Sequence, residues 1–312
     1  MALDRRQPDF IPTFELVFHE TERDFEGRGF YGAPGGPDPE RVSYREAVRH
    51  NASLYIDIAR RFEHSIIFLA TLVPHPAQGF PRAVMDTARA IREQTGDEYM
   101  LMAHGDATFA IPDGAGFVEL TERIAEDFDG LKREADRRLR RTLRECRRMR
   151  QAGLDGFILC SDYAFNNGPF LSPAMFSELI APYLRELVAE LRAMGAYVIK
   201  HSDGNILPIL DQLIEARPHA LHSLDPMAGI DIRAIKHQYG DRVALCGNVH
   251  CAHLQTGTPE QIRQSAEYCL RWGKPGGGYI FSTSNCVFRG MPLASYDLMQ
   301  ALWREHRDYS RR

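Results

Sequence analysis

Residues 196–205 read AYVIKHSDGN, an apolar run that stops abruptly at His201, Ser202, Asp203, Gly204 and Asn205. The run has the length and composition of a buried strand. In a strand, residues two apart point the same way, so His201 and Asp203 present a nitrogen and a carboxylate to one place. Gly204 permits a sharp turn out of the strand. Unpaired polar groups are costly to bury, so this strand end either caps itself with hydrogen bonds or contributes to a site.

Working outward, short apolar strands are predicted at 12–16, 65–71, 99–104, 156–162, 196–203, 220–225, 243–249 and 278–284. Segments of helical spacing separate most of them. The clearest covers 173–194, where Phe176, Leu179, Ile180, Tyr183, Leu184, Leu187 and Leu191 form one stripe. Ser172 and Pro173 start it and Gly195 ends it. Strands alternating with helices predict an α/β protein, a (β/α)8 TIM barrel formed as a single domain over residues 1–312. An open doubly wound sheet is the alternative, weakened because no GxGxxG follows the first strand.

Composition narrows the function classes. A formal net charge of −4 argues against a nucleic-acid binder. The arginine-rich stretch 132–150 does not reverse this, because Leu131, Ala135, Leu139, Leu143, Cys146 and Met149 recur at helical spacing and leave the arginines on a solvated outer face. No apolar run reaches the ~20 residues that span a bilayer, and the N-terminus lacks the apolar core of a signal peptide. A cytoplasmic protein is expected. Its six cysteines show no CxxC pair and read as reduced thiols. Cys160, Cys246 and Cys269 are core filler on this reading, whereas Cys286 follows a strand end. The Gly/Pro-rich stretch 29–39 reads as a long loop.

Barrel active sites form at the C-terminal ends of the strands, and polar groups collect there. Glu15 and His19 follow the first predicted strand, His104 and Asp106 the third, Ser161 and Asp162 the fourth. His201 and Asp203 close the fifth, His222 and Asp225 the sixth, Asn248 and His250 the seventh, and Ser284, Asn285 and Cys286 the eighth. Carboxylate, imidazole and thiolate are also the groups that bind Zn²⁺.

Several stretches carry a family resemblance: CSDYAFNNGPFLSPAMFSELIAPYL from Cys160, KHSDGNILPILDQLIE from Lys200 and LHSLDPMAGIDIRAIKHQYGDRVALCGNVH from Leu221. With TGTPEQI and GGGYIFSTSN further on, the chain resembles the uroporphyrinogen decarboxylase superfamily, over residues 156–300 above all. The resemblance implies a (β/α)8 barrel of the uroporphyrinogen decarboxylase type. That superfamily holds the decarboxylase of haem biosynthesis and cobalamin-dependent methyltransferases acting on methanol, methylamines, methyl halides and methoxyarenes.

Departures choose between these branches. The decarboxylase carries an arginine-rich segment after its first strand; here TFELVFHETERDFEG offers Glu15, His19 and Glu20, with only Arg23 and Arg28 further along. Leu69, Ala70 and Thr71 stand where the decarboxylase has Phe-Ser-Asp, and Asn285 where it has a histidine. Thiol-directed methyltransferases of the superfamily hold zinc on a His-x-Cys pair and a later cysteine. His201 and Cys286 match by position, and Asp203 replaces the middle cysteine with a harder ligand. The resemblance therefore implies a methyltransferase or demethylase moving a methyl group between a small methylated substrate and a corrinoid on a separate protein.

The implied metal ligands are His201, Asp203 and Cys286, with zinc as Lewis acid. Asp203, Asp162 and Glu15 are the candidate catalytic acids, and Glu15 is also a plausible fourth ligand. His19, His104, His222, Asn248 and Asn285 are assigned to substrate binding. No nucleic-acid or membrane partner is expected, and homo-oligomer formation is left open. The rivals are a metal-free decarboxylase using Asp203 or Asp162 and a non-catalytic small-molecule-binding barrel.

Overall fold

The structure, a computed structural model, describes residues 1–18, 27–75, 77 and 79–310. Seven parallel strands form one curled sheet in chain order: β1 (Ile66–Phe68), β2 (Met100–His104), β3 (Gly156–Leu159), β4 (Tyr197–Ser202), β5 (Ala220–Ser223), β6 (Ala244–Gly247) and β7 (Tyr279–Ile280). Each falls inside a strand predicted from sequence, because sheets buried on both faces read as continuous apolar runs.

The first predicted strand, 12–16, takes a different form. Its residues make single bridges, Thr13 to Phe281 and, further on, Phe18 to Val287. The Ser65 N–H donates to the Thr13 carbonyl at 2.7 Å and the Phe281 N–H to the Pro12 carbonyl at 2.8 Å. The segment thus touches both edges of the sheet without becoming a regular strand. Pro12 has no N–H to give to a ladder.

Around the sheet run α1 (Tyr44–Phe62), α2 (Gly79–Thr95), α3 (Gly114–Glu126), α4 (Phe128–Gln151), α5 (Pro173–Leu179) and α6 (Ala181–Ala193). Then follow α7 (Leu210–Glu215), α8 (Ile232–Tyr239), α9 (Cys251–Thr256), α10 (Pro259–Gly273) and α11 (Leu293–His306). The helix predicted over 173–194 is two helices, α5 and α6, that meet at Ile180. Pro182 lacks the N–H that a continuous helix needs there and crowds the preceding turn. Helix α4 turns Leu139, Cys146 and Met149 inward and its arginines outward, as its periodicity predicts.

Two apolar clusters record the period-2 alternation of the strands. Phe14, Leu16, Ile66, Phe68, Met102, Ile158, Ile199, Ala220, Ala244, Cys246 and Ile280 pack together inside the curl. Their neighbours Ile67, Leu101, Phe157, Leu159, Val198, Leu221, Leu245 and Phe281 pack outward against the helices. Ala2 and Leu3 join the inner cluster, and the Tyr197 hydroxyl donates to Asp4 at 3.3 Å. Tyr197 begins β4, so the N-terminal turn floors the curl and its opposite end, where the strands finish, is left for a site.

Candidate functional site

Strand parity places the site. On β4, Ile199 points inside the curl, so His201 and Asp203 follow it; from Ile158 the same step reaches Cys160 and then Asp162. Strand register pairs His201 with His222. The outcome is a group of three ligand-capable side chains, Asp162, His201 and Asp203, whose donor atoms all lie within 4.8 Å of one another. His201 Nε2 is 3.6 Å from Asp162 Oδ1 and 3.8 Å from Asp203 Oδ1.

Neighbours hold each member. The Asp203 N–H donates to Asp162 Oδ1 at 3.0 Å, and the Asn285 amide donates to Asp203 Oδ2. The Gly204 N–H donates to Asp225 at 3.2 Å. Gly204 itself has φ +79°, and a Cβ there would run into the Ala164 carbonyl oxygen of a short hairpin, Ala164–Phe165 with Gly168–Pro169. The glycine after the His-x-Asp pair is thus required twice, by conformation and by space.

The other ring nitrogen of His201, Nδ1, is 2.8 Å from His222 Nδ1, so one imidazole donates and the other accepts. Burial pushes His201 down to about 3, helped by the Lys200 ammonium and by His104. Burial, with His201 beside it, also pushes His222 well below the usual histidine range. Both rings are neutral at physiological pH. Burial raises Asp203 to about 7, with the charges of Asp162 and Asp225 adding to it. His104 faces the same space edge-on to Phe68, with ring centroids 4.7 Å apart, and burial lowers it too.

Not every sequence-derived candidate joins the group. Among the described residues no ligand group of this spacing includes Cys286. Burial and the neighbouring Cys251, Glu15 and Asp203 push its thiol upward. Asp162 is the third member of the group instead.

Glu15 turns the other way, because its neighbours Phe14 and Leu16 pack inside the curl. Its carboxyl accepts from the Thr283 N–H at 3.1 Å and the Thr283 hydroxyl at 2.6 Å, and burial raises it to about 8. Asn248 spends its amide on the Leu224 carbonyl at 2.6 Å, and its oxygen accepts from the Cys269 thiol. It braces a loop and offers no free group to a substrate. His222 serves His201, Asn285 serves Asp203, and His19 lies outside the described residues.

Directly behind the site lies a second polar set, in which Asp106 and Ser161 from the predicted strand ends meet Lys200, a residue absent from them. Lys200, 1% exposed, sits on the outward face of β4 between sheet and helices. Its ammonium donates to Asp106 at 2.9 Å, to the Ser161 carbonyl at 2.8 Å and to the Leu159 carbonyl at 3.2 Å, and lies 4.0 Å from the Tyr163 ring centroid. Asp106 also accepts from the Ser161 N–H at 2.9 Å. Burial alone would raise Asp106, but Lys200, Thr108 and Ser161 hold it low. The backbone leading into Asp162 is thereby fixed; a lysine inside an apolar run was the available signal.

Comparison with known proteins places this arrangement in a family. The uroporphyrinogen decarboxylase (URO-D) family profile matches residues 69–306. A uroporphyrinogen decarboxylase of Pseudoalteromonas translucida (strain TAC 125) is 31% identical over 129 residues, which is 38% of this chain and 34% of that protein. The matched stretch therefore spans about a third of the length of that curated relative. A methyltransferase from Methanosarcina mazei shares the fold with a TM-score of 0.74 at 17% identity, over 97% of this chain and 96% of the other. Among the described residues no helix is long and apolar enough to cross a membrane. With its family profile running from the end of β1 to the last helix, through every residue of the ligand group, the chain belongs to the uroporphyrinogen decarboxylase family.

Proposed function

We propose that this chain is a methyltransferase or demethylase of the family, moving a methyl group between a small methylated substrate and a corrinoid carried by a separate protein. The observation that carries the reading is the convergence of Asp162, His201 and Asp203 at the strand ends. Two carboxylates and a neutral imidazole fit a divalent metal. Asp203 Oδ1 is buried without a hydrogen-bond partner, facing His201 Nε2, and a buried polar atom left unpaired calls for a ligand. Three protein ligands with Asp162 partly open to solvent match a catalytic zinc arrangement with a free position. Zinc there would supply Lewis acidity to the oxygen, nitrogen or sulfur that loses its methyl group.

The chain's own residues do the rest. His222 fixes the ring of His201 through the Nδ1 contact, leaving Nε2 for the site. Asn285 orients Asp203. The raised Asp203 carboxyl holds a proton close to neutrality and can return it to a leaving group in protein that carries no metal. Phe68 and His104 wall the space on the β1–β2 side. The same reading takes the fold as a closed (β/α)8 barrel, with the Thr13 and Phe18 bridges in the eighth strand position.

One observation favours a second reading. A carboxyl raised to about 7 suits proton delivery to a carbanion, and the curated relative is a decarboxylase. Metal analysis separates the two. The first reading expects about one zinc per chain after reconstitution, lowered together with methyl transfer to free cob(I)alamin in Asp162→Asn and His201→Gln. Carbon dioxide release from carboxylated substrates by metal-free protein, with no zinc retained, overturns it in favour of the second.

A further inference from the structure

We propose that the cleft between α1 and α2 is a binding site for a small phosphorylated ligand, separate from the ligand group at the strand ends. The cleft, about 410 Å³, is lined by Arg45, Arg49, Arg82 and Arg89 against only two carboxylates, Asp86 and Glu93. Four guanidiniums facing two acids leave a local surplus of two positive charges in a chain whose formal net charge is −4.

The pairing within the cleft is uneven. Asp86, its side chain 15% exposed, takes Arg82 at 3.0 Å and Arg89 at 3.2 Å, and accepts from the Tyr44 hydroxyl at 3.3 Å. One carboxylate thus fixes two guanidiniums, and the three groups together keep a net positive charge. Arg45 and Arg49 are exposed and, among the described residues, neither forms a salt bridge. They stand four apart on α1, where like charges destabilise a helix by about 0.2–0.5 kcal/mol. Arg45 also occupies the first turn, next to the positive end of the helix dipole. Glu46, in the same first turn, offsets part of this repulsion through its attraction to Arg49, and a bound anion would offset the rest.

The chemistry selects the ligand. Guanidinium forks match phosphate oxygens with paired donors, and a concave surface of one sign concentrates counter-ions. Two preset guanidiniums facing two free ones suit linked phosphates better than a single carboxylate. The α4 helix provides a contrast: Arg133, Arg138, Arg140 and Arg141 are ion-paired there, and its exposed arginines without a salt bridge, Arg137 and Arg144 among them, line no such cleft.

Isothermal titration of the full chain with inorganic pyrophosphate tests the site, with citrate as a carboxylate comparison. Saturable binding of one pyrophosphate is expected, at least about tenfold tighter than citrate. Arg45→Ala/Arg49→Ala should weaken it at least about tenfold. Arg137→Ala/Arg144→Ala on α4 makes the same charge change and should leave it within about twofold. Absence of saturable binding by the wild type, citrate binding as tightly, or equal loss in both double variants would each overturn the proposal.

Discussion

His201 Nδ1 lies 2.8 Å from His222 Nδ1, and both rings are buried and neutral. Only one of the facing nitrogens can carry the hydrogen. A metal on His201 Nε2 requires that nitrogen to be bare, so His201 must then donate from Nδ1 and His222 accept. A histidine that ligates a metal commonly gives its other N–H to such an outer partner, and loss of the partner lowers affinity about 10–100-fold. His222→Phe removes the acceptor and should weaken zinc in that range, measured by competition with a chromogenic chelator. His222→Asn, which can still accept, should recover part of the loss. Unchanged affinity in the phenylalanine variant would detach His222 from the site.

This contact also shows how far the sequence could be read. The apolar runs located β1 to β7 because a sheet covered on both faces has little else to display. Period-2 spacing brought His201 and Asp203 together correctly. Other candidates fall outside the ligand group where proximity to a strand end stood in for parity. Glu15 stands between two inward residues and therefore faces out, and Asn248 is absorbed by its own loop. Cys286 lies six residues beyond the two-residue strand β7, too far for strand spacing to place its thiol. The pairing of Lys200 with Asp106 spans 94 residues, and no local pattern encodes a contact of that separation.

Glu15 offers a test of that parity. Because it faces Thr283 and away from the ligand group, Glu15→Gln should leave zinc affinity unchanged. Its carboxyl is raised from 4.5 to about 8. A group raised on folding is disfavoured when ionised, so wild-type stability falls as pH rises from about 4.5 through about 8. The glutamine variant should match the wild type near pH 4 and exceed it at pH 9 in urea unfolding. A large loss of zinc on this substitution would return Glu15 to the site.

Asp203 follows the same sign in a lower window. Its carboxyl rises from 3.8 to about 7, so metal-free protein loses stability as pH increases between those values. The interval corresponds to a ceiling of roughly 4 kcal/mol. Solvent screening of a side chain 29% exposed reduces this to about 1–2 kcal/mol. Asp203→Asn should therefore stabilise the metal-free protein by that amount at pH 8, by nothing at pH 4, and should abolish the stabilisation that added zinc gives the wild type. Equal unfolding midpoints of variant and wild type at both pH values would show that the carboxyl is not raised.

The Lys200–Asp106 pair supports the site from behind. The side chains are 1% and 10% exposed, so removing one partner strands the other's charge in a dry setting. Such a loss costs about 3–5 kcal/mol, whereas replacing both with apolar groups of similar size is often close to neutral. Lys200→Met and Asp106→Leu should each destabilise within that range, and the double variant should recover most of it. Stability and function should then separate. Lys200 also holds the Leu159 and Ser161 carbonyls, and Asp106 the Ser161 N–H, so the backbone carrying Asp162 loses its brace even when the core is repacked. The double variant is expected to fold with near wild-type urea resistance yet bind zinc more weakly than the wild type. Full zinc affinity in that variant would reduce the pair to core packing and leave the placement of Asp162 to its own contact with the Asp203 N–H.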